Sequence, residues 1–332
     1  MKKLRIGLNG FGRIGRAFTR IASGQSDISI QVINTSKTDP ETLAYLLKYD
    51  SVYHTFDRKI APSDASLSID GEKVHVYTQP DPSLIPWDKH HVDIVIDCTG
   101  VFKTRKELSK HLVGSVKRVI LTAPTNDDSI PHIVMGINHK ELSKTADIIS
   151  NTSCTTNCAA VLLHVLEREF GIKAGYVTTA HSYTSSQPVL DTAGRSFTRS
   201  RAAGLSMIPT TTGAAEAVCK VTSIEPHALN ALSLRVPTPV GSLCDVTALL
   251  EKSTSVEEIH KVFKYASLNT LRDILAYEEV PLVSSDYIGN PASCTYDANY
   301  TSCIGGNFVK VFGWYDNEWG YSSRLLDLVR FL

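Results

Sequence analysis

The chain has 332 residues, with 34 Lys+Arg against 34 Asp+Glu and a formal charge of zero. That balance argues against nucleic-acid or anionic-membrane partners, and no apolar run reaches the roughly 18 residues of a spanning helix. Seven cysteines, an odd number with no disulfide-framework spacing, fit a reducing cytoplasm, and Met1-Lys2-Lys3 runs straight into a strand with no secretory pattern.

The first predicted strand, Leu4–Leu8, leads into Gly10-Phe11-Gly12-Arg13-Ile14-Gly15, and then into a stretch with Ile14, Phe18 and Ile21 at helical spacing. Strand, glycine turn and helix in this order make a dinucleotide site. Gly10 permits the tight turn, Gly12 lets the backbone approach a pyrophosphate, and Gly15 lets helix pack on strand. The pyrophosphate would rest on the amides of the helix start. Further strands are expected at Ile28–Ile33, Lys73–Tyr77, Ile94–Asp97, Arg118–Thr122 and Ile133–Met135, with helices at Pro40–Lys48 and Lys106–Val113. This alternation predicts a Rossmann-type, doubly wound parallel sheet over residues 1–153. The strand ends carrying Asn34, Thr99-Gly100 and Thr122 would face the cofactor.

From residue 154 the texture changes. Cys154–Glu169 reads as a helix with Ala159, Leu162, Leu163 and Leu166 on one face. β-type segments follow at Gly175–Thr179, Ala231–Arg235, Cys244–Leu250 and Phe308–Trp314. They predict a second, catalytic domain over 154–317, built on an antiparallel sheet with covering helices. The whole is thus α/β plus α+β, with a last helix over 318–332 returning to the first domain. Ser182–Thr212 is long and polar, as functional or disordered loops are.

The candidate chemistry is Cys154 in Ser153-Cys154-Thr155-Thr156-Asn157-Cys158, with His181 following 27 residues later. An unperturbed thiol is mostly protonated at neutral pH, and an imidazole within hydrogen-bond reach can take its proton or, as a cation, lower its pKa. Small hydroxylic neighbours give access and donors. Cys158 reads as a small buried residue of the same helix, since no second Cys/His pair completes a zinc spacing.

Taken together, these motifs resemble glyceraldehyde-3-phosphate dehydrogenase over essentially the whole chain. They are joined by His181-Ser182-Tyr183-Thr184, Thr211-Thr212-Gly213-Ala214-Ala215, Arg235-Val236-Pro237-Thr238 and Trp314-Tyr315-Asp316-Asn317-Glu318-Trp319-Gly320-Tyr321. The resemblance implies phosphorylating oxidation of a phosphorylated aldehyde through a Cys154 thioester, with His181 as base. It implies that Thr184 and Arg235 hold the substrate phosphate. Ser153, Thr155, Arg201, Thr212 and Gly213 would hold the attacking inorganic phosphate or lie between the two sites. Asn317 would hold the nicotinamide carboxamide, and a homotetramer is the family's usual state. An erythrose-4-phosphate dehydrogenase is the nearest alternative, and the retained Thr212-Gly213 argues against it. A silent binding protein on the same fold is opposed by joint retention of Cys154, His181, Arg235 and Asn317.

The chain also departs from the family's common pattern. Where an Asp would bind the adenosine ribose, it has Thr35-Ser36-Lys37, and where Leu-Pro is usual it has Thr192-Ala193. Both departures point to NADP as cofactor, with NAD as the alternative. Pro80, Tyr53-His54 and Glu216 depart without an evident reading.

Overall fold

In the computed structural model, which describes residues 3–194 and 196–332, the chain divides into two units. One comprises Met1–Ile133, Glu141–Thr152 and Ser322–Leu332, the other Val134–Lys140 and Ser153–Tyr321.

The first unit runs β1 (Leu4–Asn9), α1 (Arg13–Ala22), β2 (Ile28–Asn34), α2 (Pro40–Lys48), β3 (Ile60–Ser63), β4 (Ser66–Ile69), β5 (Glu72–Tyr77), β6 (Ile94–Asp97), α3 (Arg105–Leu108), β7 (Arg118–Leu121) and β8 (Ile148–Ser150). Its eight-stranded sheet has the order β3-β4-β5-β2-β1-β6-β7-β8. From β5 to β8 every pairing is parallel, and β3-β4-β5 is an antiparallel meander on one edge. The parallel part needs apolar residues on both faces; Ile6, Leu8, Val32, Ile33, Val95, Ile96, Val119 and Leu121 are accordingly sealed from solvent. Local chemistry sets the helix starts. Asp39 caps α2 by accepting the Thr42 N–H, with Pro40 in the first turn. Thr104 and Glu107 form a reciprocal box at α3.

Two expectations need correction here. No strand forms at Ile133–Met135: only His132 bridges to Ser150, and the last strand is β8. The Val134 N–H is taken by Asn138 Oδ1, and the Ile137 and Asn138 amides return to the Val134 carbonyl, so the chain turns instead of extending. The helix expected over Lys106–Val113 is α for only one turn, Arg105–Leu108, and tightens to a 3₁₀ turn at Ser109–His111.

The second unit opens with α4 (Cys154–Phe170), followed by β9 (Ile172–Ser182), β10 (Ile208–Thr210), α5 (Ala214–Cys219), β11 (Leu229–Val236), β12 (Ser242–Leu250), α6 (Val256–Leu268), β13 (Leu275–Glu278), β14 (Cys294–Ile304) and β15 (Phe308–Tyr315). The last helix, α7, spans Trp319–Phe331. Ser153 caps α4 through the Thr156 N–H and Gly171 follows its last turn. Ala159, Leu162, Leu163 and Leu166 form its fully buried face. The seven-stranded sheet has the order β10-β11-β9-β12-β15-β14-β13. It is mixed: the β11–β9 and β13–β14 pairs are parallel and the other four pairings antiparallel. Gly313 on β15 has no side chain because there is no space for one. A Cβ there would lie 2.4 Å from Cys294 Sγ and 2.9 Å from Leu162 Cδ1.

Candidate active site

The glycine turn of the first unit does what its spacing requires. Gly10 has φ +95°, and a Cβ on it would lie 2.8 Å from the Cys98 carbonyl carbon; at Gly15 a Cβ would lie 2.6 Å from the Gly10 oxygen. Neither can carry a side chain. Gly12 is different: it is exposed, and nothing lies within 4 Å of where its Cβ would be. It also begins α1 with no side-chain cap. An uncapped helix start beneath an open glycine fits a pyrophosphate. Ile14 lies in the same first turn. The Arg13 guanidinium is engaged elsewhere, by Asp50 and the Tyr53 ring, so its contribution to the cradle is backbone.

Beneath the cradle lies a buried polar network. Asn34 Nδ2 donates to Asn9 Oδ1 (2.7 Å) and to the Gln79 carbonyl (2.9 Å), and its Oδ1 accepts the Gln79 N–H. Asn9 Nδ2 donates to Asp97 Oδ2 at 2.8 Å, and His111 Nε2 sits 3.2 Å from the same oxygen. Asp97 Oδ1 accepts the Thr99 N–H (3.0 Å) and hydroxyl (2.6 Å). Thr122 Oγ1 donates to the Asp97 carbonyl at 2.9 Å. The ends of β1, β2 and β6 are therefore tied together by side chains, and Asn34 works as a tie. Gly100 beyond them has φ +67° and is exposed. On the loop after β2, Thr35 is buried and its oxygen accepts the Thr38 N–H at 3.1 Å, whereas Ser36 and Lys37 are exposed. The nearest carboxylate in sequence, Asp39, is occupied by the Thr42 amide and hydroxyl.

In the second unit, Cys154 is the first residue of α4 and His181 the penultimate residue of β9. Cys154 Sγ lies 3.4 Å from His181 Nε2. The parallel register of β9 and β11 sets Arg235 opposite His181, and Arg235 Nη1 approaches His181 Nδ1 to 2.7 Å and the Ser182 carbonyl to 3.2 Å. Tyr315 stands edge-on to the imidazole, centroids 6.1 Å apart, and its hydroxyl meets Thr155 Oγ1 at 3.0 Å. Burial pushes the Cys154 thiol up to about 11 against the opposing pull of Arg235. Burial, then Arg235, pushes His181 down to about 3. Both shifts oppose the charged form, the thiolate at Cys154 and the imidazolium at His181.

The remaining candidates divide. Ser153 Oγ is spent on the Thr156 amide and hydroxyl. Thr184 Oγ1 lies 2.9 Å from Ser186 Oγ. Thr212 Oγ1 accepts the Ala214 N–H, and Gly213 is exposed with open space above it. Asn317 is buried, its Oδ1 accepting from Ser242 Oγ, which also receives the Ser182 N–H. Arg201 is not brought to the cysteine–histidine pair. Its guanidinium pairs with Asp191 at 2.7 Å, the two side chains 65% and 57% exposed. Arg199 is the arginine that sequence reasoning missed. It donates to Thr210 Oγ1 at 2.9 Å, and its charge acts on both His181 and Arg235. Two arginines in Arg199-Ser200-Arg201 look alike in sequence; only the carboxylate of Asp191 tells them apart.

Known proteins match this chain over 98–99% of its length. Residues 4–105 match the model of the glyceraldehyde 3-phosphate dehydrogenase NAD binding domain, and residues 153–317 that of the C-terminal domain of the same family. Glyceraldehyde-3-phosphate dehydrogenase 1 of Bacillus cereus is 45% identical over 329 residues, 99% of this chain and 98% of its own. The Geobacillus stearothermophilus glyceraldehyde-3-phosphate dehydrogenase is 45% identical over 330 residues, with the same coverage. The cytosolic enzyme of Chlamydomonas reinhardtii is 44% identical over 328 residues, 98% of this chain and 96% of its own.

Proposed function

The chain belongs to the glyceraldehyde-3-phosphate dehydrogenase family, and from that premise we propose how its own residues carry the reaction. It is an oxidoreductase of glycolysis acting with a nicotinamide dinucleotide. Cys154 Sγ adds to the aldehyde carbon of glyceraldehyde 3-phosphate and gives a thiohemiacetal. The developing oxyanion is met by the Cys154 amide and by His181. His181 Nε2 takes the hydroxyl proton as the carbon is oxidised to the thioester. The bound cofactor supplies the hydride acceptor, and Asn317 holds its carboxamide. Inorganic phosphate then attacks the thioester carbon, the acyl phosphate 1,3-bisphosphoglycerate leaves, and the Cys154 thiolate is restored.

Arg235 and Thr184 hold the substrate phosphate; a guanidinium suits this as a fixed, bidentate donor. Thr155, Thr212, Gly213 and Arg199 serve the attacking phosphate, with Ser153 positioning the start of α4 and Arg201 ordering the loop through Asp191. Gly10, Gly12, Arg13, Ile14, Gly15, Thr99, Gly100 and Thr122 form the dinucleotide cradle, with Asn34 tying it. Thr35, Ser36 and Lys37 read a 2′-phosphate, so NADP is preferred to NAD. A cytoplasmic homotetramer fits the family, and among the described residues no helix is long and apolar enough to cross a membrane.

The observation that carries this reading is the Cys154–His181 contact at 3.4 Å with Arg235 against the imidazole. Its test is Cys154→Ser, which should abolish oxidation while leaving cofactor affinity unchanged, because a serine hydroxyl cannot supply enough anion. Retained turnover in that variant would remove Cys154 from the chemistry.

A further inference from the structure

Four donors converge on one buried carboxylate beneath the glycine turn. Asp97, at the end of β6, is sealed from solvent, and so are His111 and nearly all of Asn9. Asp97 Oδ1 accepts the Thr99 N–H at 3.0 Å and the Thr99 hydroxyl at 2.6 Å. Its Oδ2 accepts from Asn9 Nδ2 at 2.8 Å, and His111 Nε2 stands 3.2 Å away. The Asn9 amide is not free to turn, because its Oδ1 accepts from Asn34 Nδ2. A bare Nε2 would set its lone pair against the carboxylate, so the His111 proton sits on Nε2 and is donated to Asp97. Each carboxylate oxygen then has two donors, which fills its capacity to accept.

These bonds fix the two segments that frame the turn. Asn9 immediately precedes Gly10, and its carbonyl accepts the Cys98 N–H at 2.7 Å. On the other side, a Cβ on Gly10 would lie 2.8 Å from the Cys98 carbonyl carbon and 2.9 Å from the Thr99 nitrogen. Gly10 is therefore pressed against the peptide whose N–H Asp97 holds. The Thr99 oxygen accepts the Val101 N–H at 3.1 Å, which shapes the chain through Gly100. A shift of the carboxylate moves both walls of the turn at once. His111 reaches it from a separate element, the 3₁₀ turn Ser109–His111. Its ring packs against Trp87 and Phe102, with centroids 5.8 and 6.4 Å away.

We propose that His111 is a positioning residue for the dinucleotide pyrophosphate: by holding Asp97 it keeps Asn9 and Thr99 in place on either side of Gly10, and so aims the amides of the turn and of the start of α1. His111 is sealed from solvent and touches no ligand itself. Without its proton, Asp97 Oδ2 keeps one donor of two, the carboxylate is free to turn, and Thr99 turns with it. Backbone amides bind an anion only while they point at it. The loss therefore falls on the pyrophosphate, and neither on the adenosine nor on the chemistry at Cys154. The inference rests on the assignment of the Gly10–Gly15 turn to the dinucleotide.

The test compares three variants of the full chain. His111→Phe keeps a ring beside Trp87 and Phe102 and removes the donor. His111→Gln restores an N–H. Asp97→Asn turns one acceptor into a donor facing donors, and decides the matter if His111→Phe does not fold. Binding of NAD, NADP, ADP-ribose and adenosine is titrated by calorimetry. His111→Phe and Asp97→Asn should weaken NAD, NADP and ADP-ribose alike by at least about tenfold, and adenosine, which has no pyrophosphate, by less than about threefold. His111→Gln should stay within about threefold of wild type for every ligand. In steady-state kinetics the loss should appear in the cofactor KM and not in kcat. Unchanged ADP-ribose affinity in His111→Phe or Asp97→Asn overturns the proposal. So does an equal loss in His111→Phe and His111→Gln, which would make the shape of the ring decisive and not its proton. An equal loss for adenosine also overturns it, as a general loosening of the unit. If the wild type itself binds none of NAD, NADP and ADP-ribose, the dinucleotide assignment falls first.

Discussion

At the scale of single residues, the pairing of Cys154 with His181 was readable and the separate partners of Arg199 and Arg201 were not. Cys154 and His181 stand in motifs with small, hydroxylic flanks, and the fold brings them to 3.4 Å. Arg199 and Arg201 share one tripeptide, and their roles separate only through Asp191 and Thr210, partners no local pattern names. Arg199→Ala should therefore raise the KM for inorganic phosphate at least tenfold, about 1.4 kcal/mol. Arg201→Ala, whose ion pair is largely exposed, should change it less than about threefold. Equal effects of the two substitutions in steady-state kinetics would return Arg201 to the phosphate site. Arg235→Leu should raise the KM for the phosphorylated aldehyde far more than that for unphosphorylated glyceraldehyde. Equal losses with both aldehydes would take Arg235 off the substrate phosphate.

Elements were legible where periodicity was strong. The core strands β1, β2 and β6 and the helices α2 and α4 lie within a residue or two of their expected bounds, because a strand buried on both faces or a capped amphipathic helix leaves a pattern in the sequence. The edge strand β3, its neighbour β4 and the strands β13 and β14 were not anticipated. β3 is mostly exposed, and β14 is buried over its first five residues and largely exposed beyond, so neither alternates. The parallel pairs in the second sheet were also hidden, since strand direction is fixed by long connections. The glycine turn supplies a prediction at this scale. Gly12→Ala meets nothing in the fold, so stability should change by less than about 1 kcal/mol, while cofactor affinity falls at least tenfold, about 1.4 kcal/mol. Gly15→Ala, against the Gly10 carbonyl, should cost about 1–3 kcal/mol of stability. Thermal melts and cofactor titrations of both variants decide this, and loss of stability in Gly12→Ala would show that its openness is structural. The loop after β2 gives another. Thr35→Asp should cost NADP at least tenfold in kcat/KM, about 1.4 kcal/mol, and leave NAD equal or improved. If wild type ignores NADP, Thr35, Ser36 and Lys37 do not read the 2′ position.

For the whole molecule, the sequence carried two domains and a family, but not the electrostatic state in which the site rests. His181 is held well below its ordinary range by burial first and Arg235 second, and burial also lowers His75, His90, His139 and His164. Groups neutral when folded and protonated when unfolded stabilise the fold above the unfolded value, about 6.5, and that stability is lost as pH falls below it. Asp93 and Asp50, held low by Arg5 and by backbone amides and Arg13 respectively, extend the loss to lower pH. Urea unfolding should show a declining free energy from pH 7 to pH 5, and a flat profile would mean the buried histidines are solvated in solution. The account as a whole rests on a thiol that is acylated and then released by phosphate. Its most direct test is the initial rate of NADPH or NADH formation from glyceraldehyde 3-phosphate as inorganic phosphate is titrated from zero, with arsenate as substitute acceptor. The account predicts a single burst matching the Cys154 content without phosphate, and saturable sustained turnover when either anion is added. Sustained turnover with no acceptor but water, or no burst at all, would contradict it.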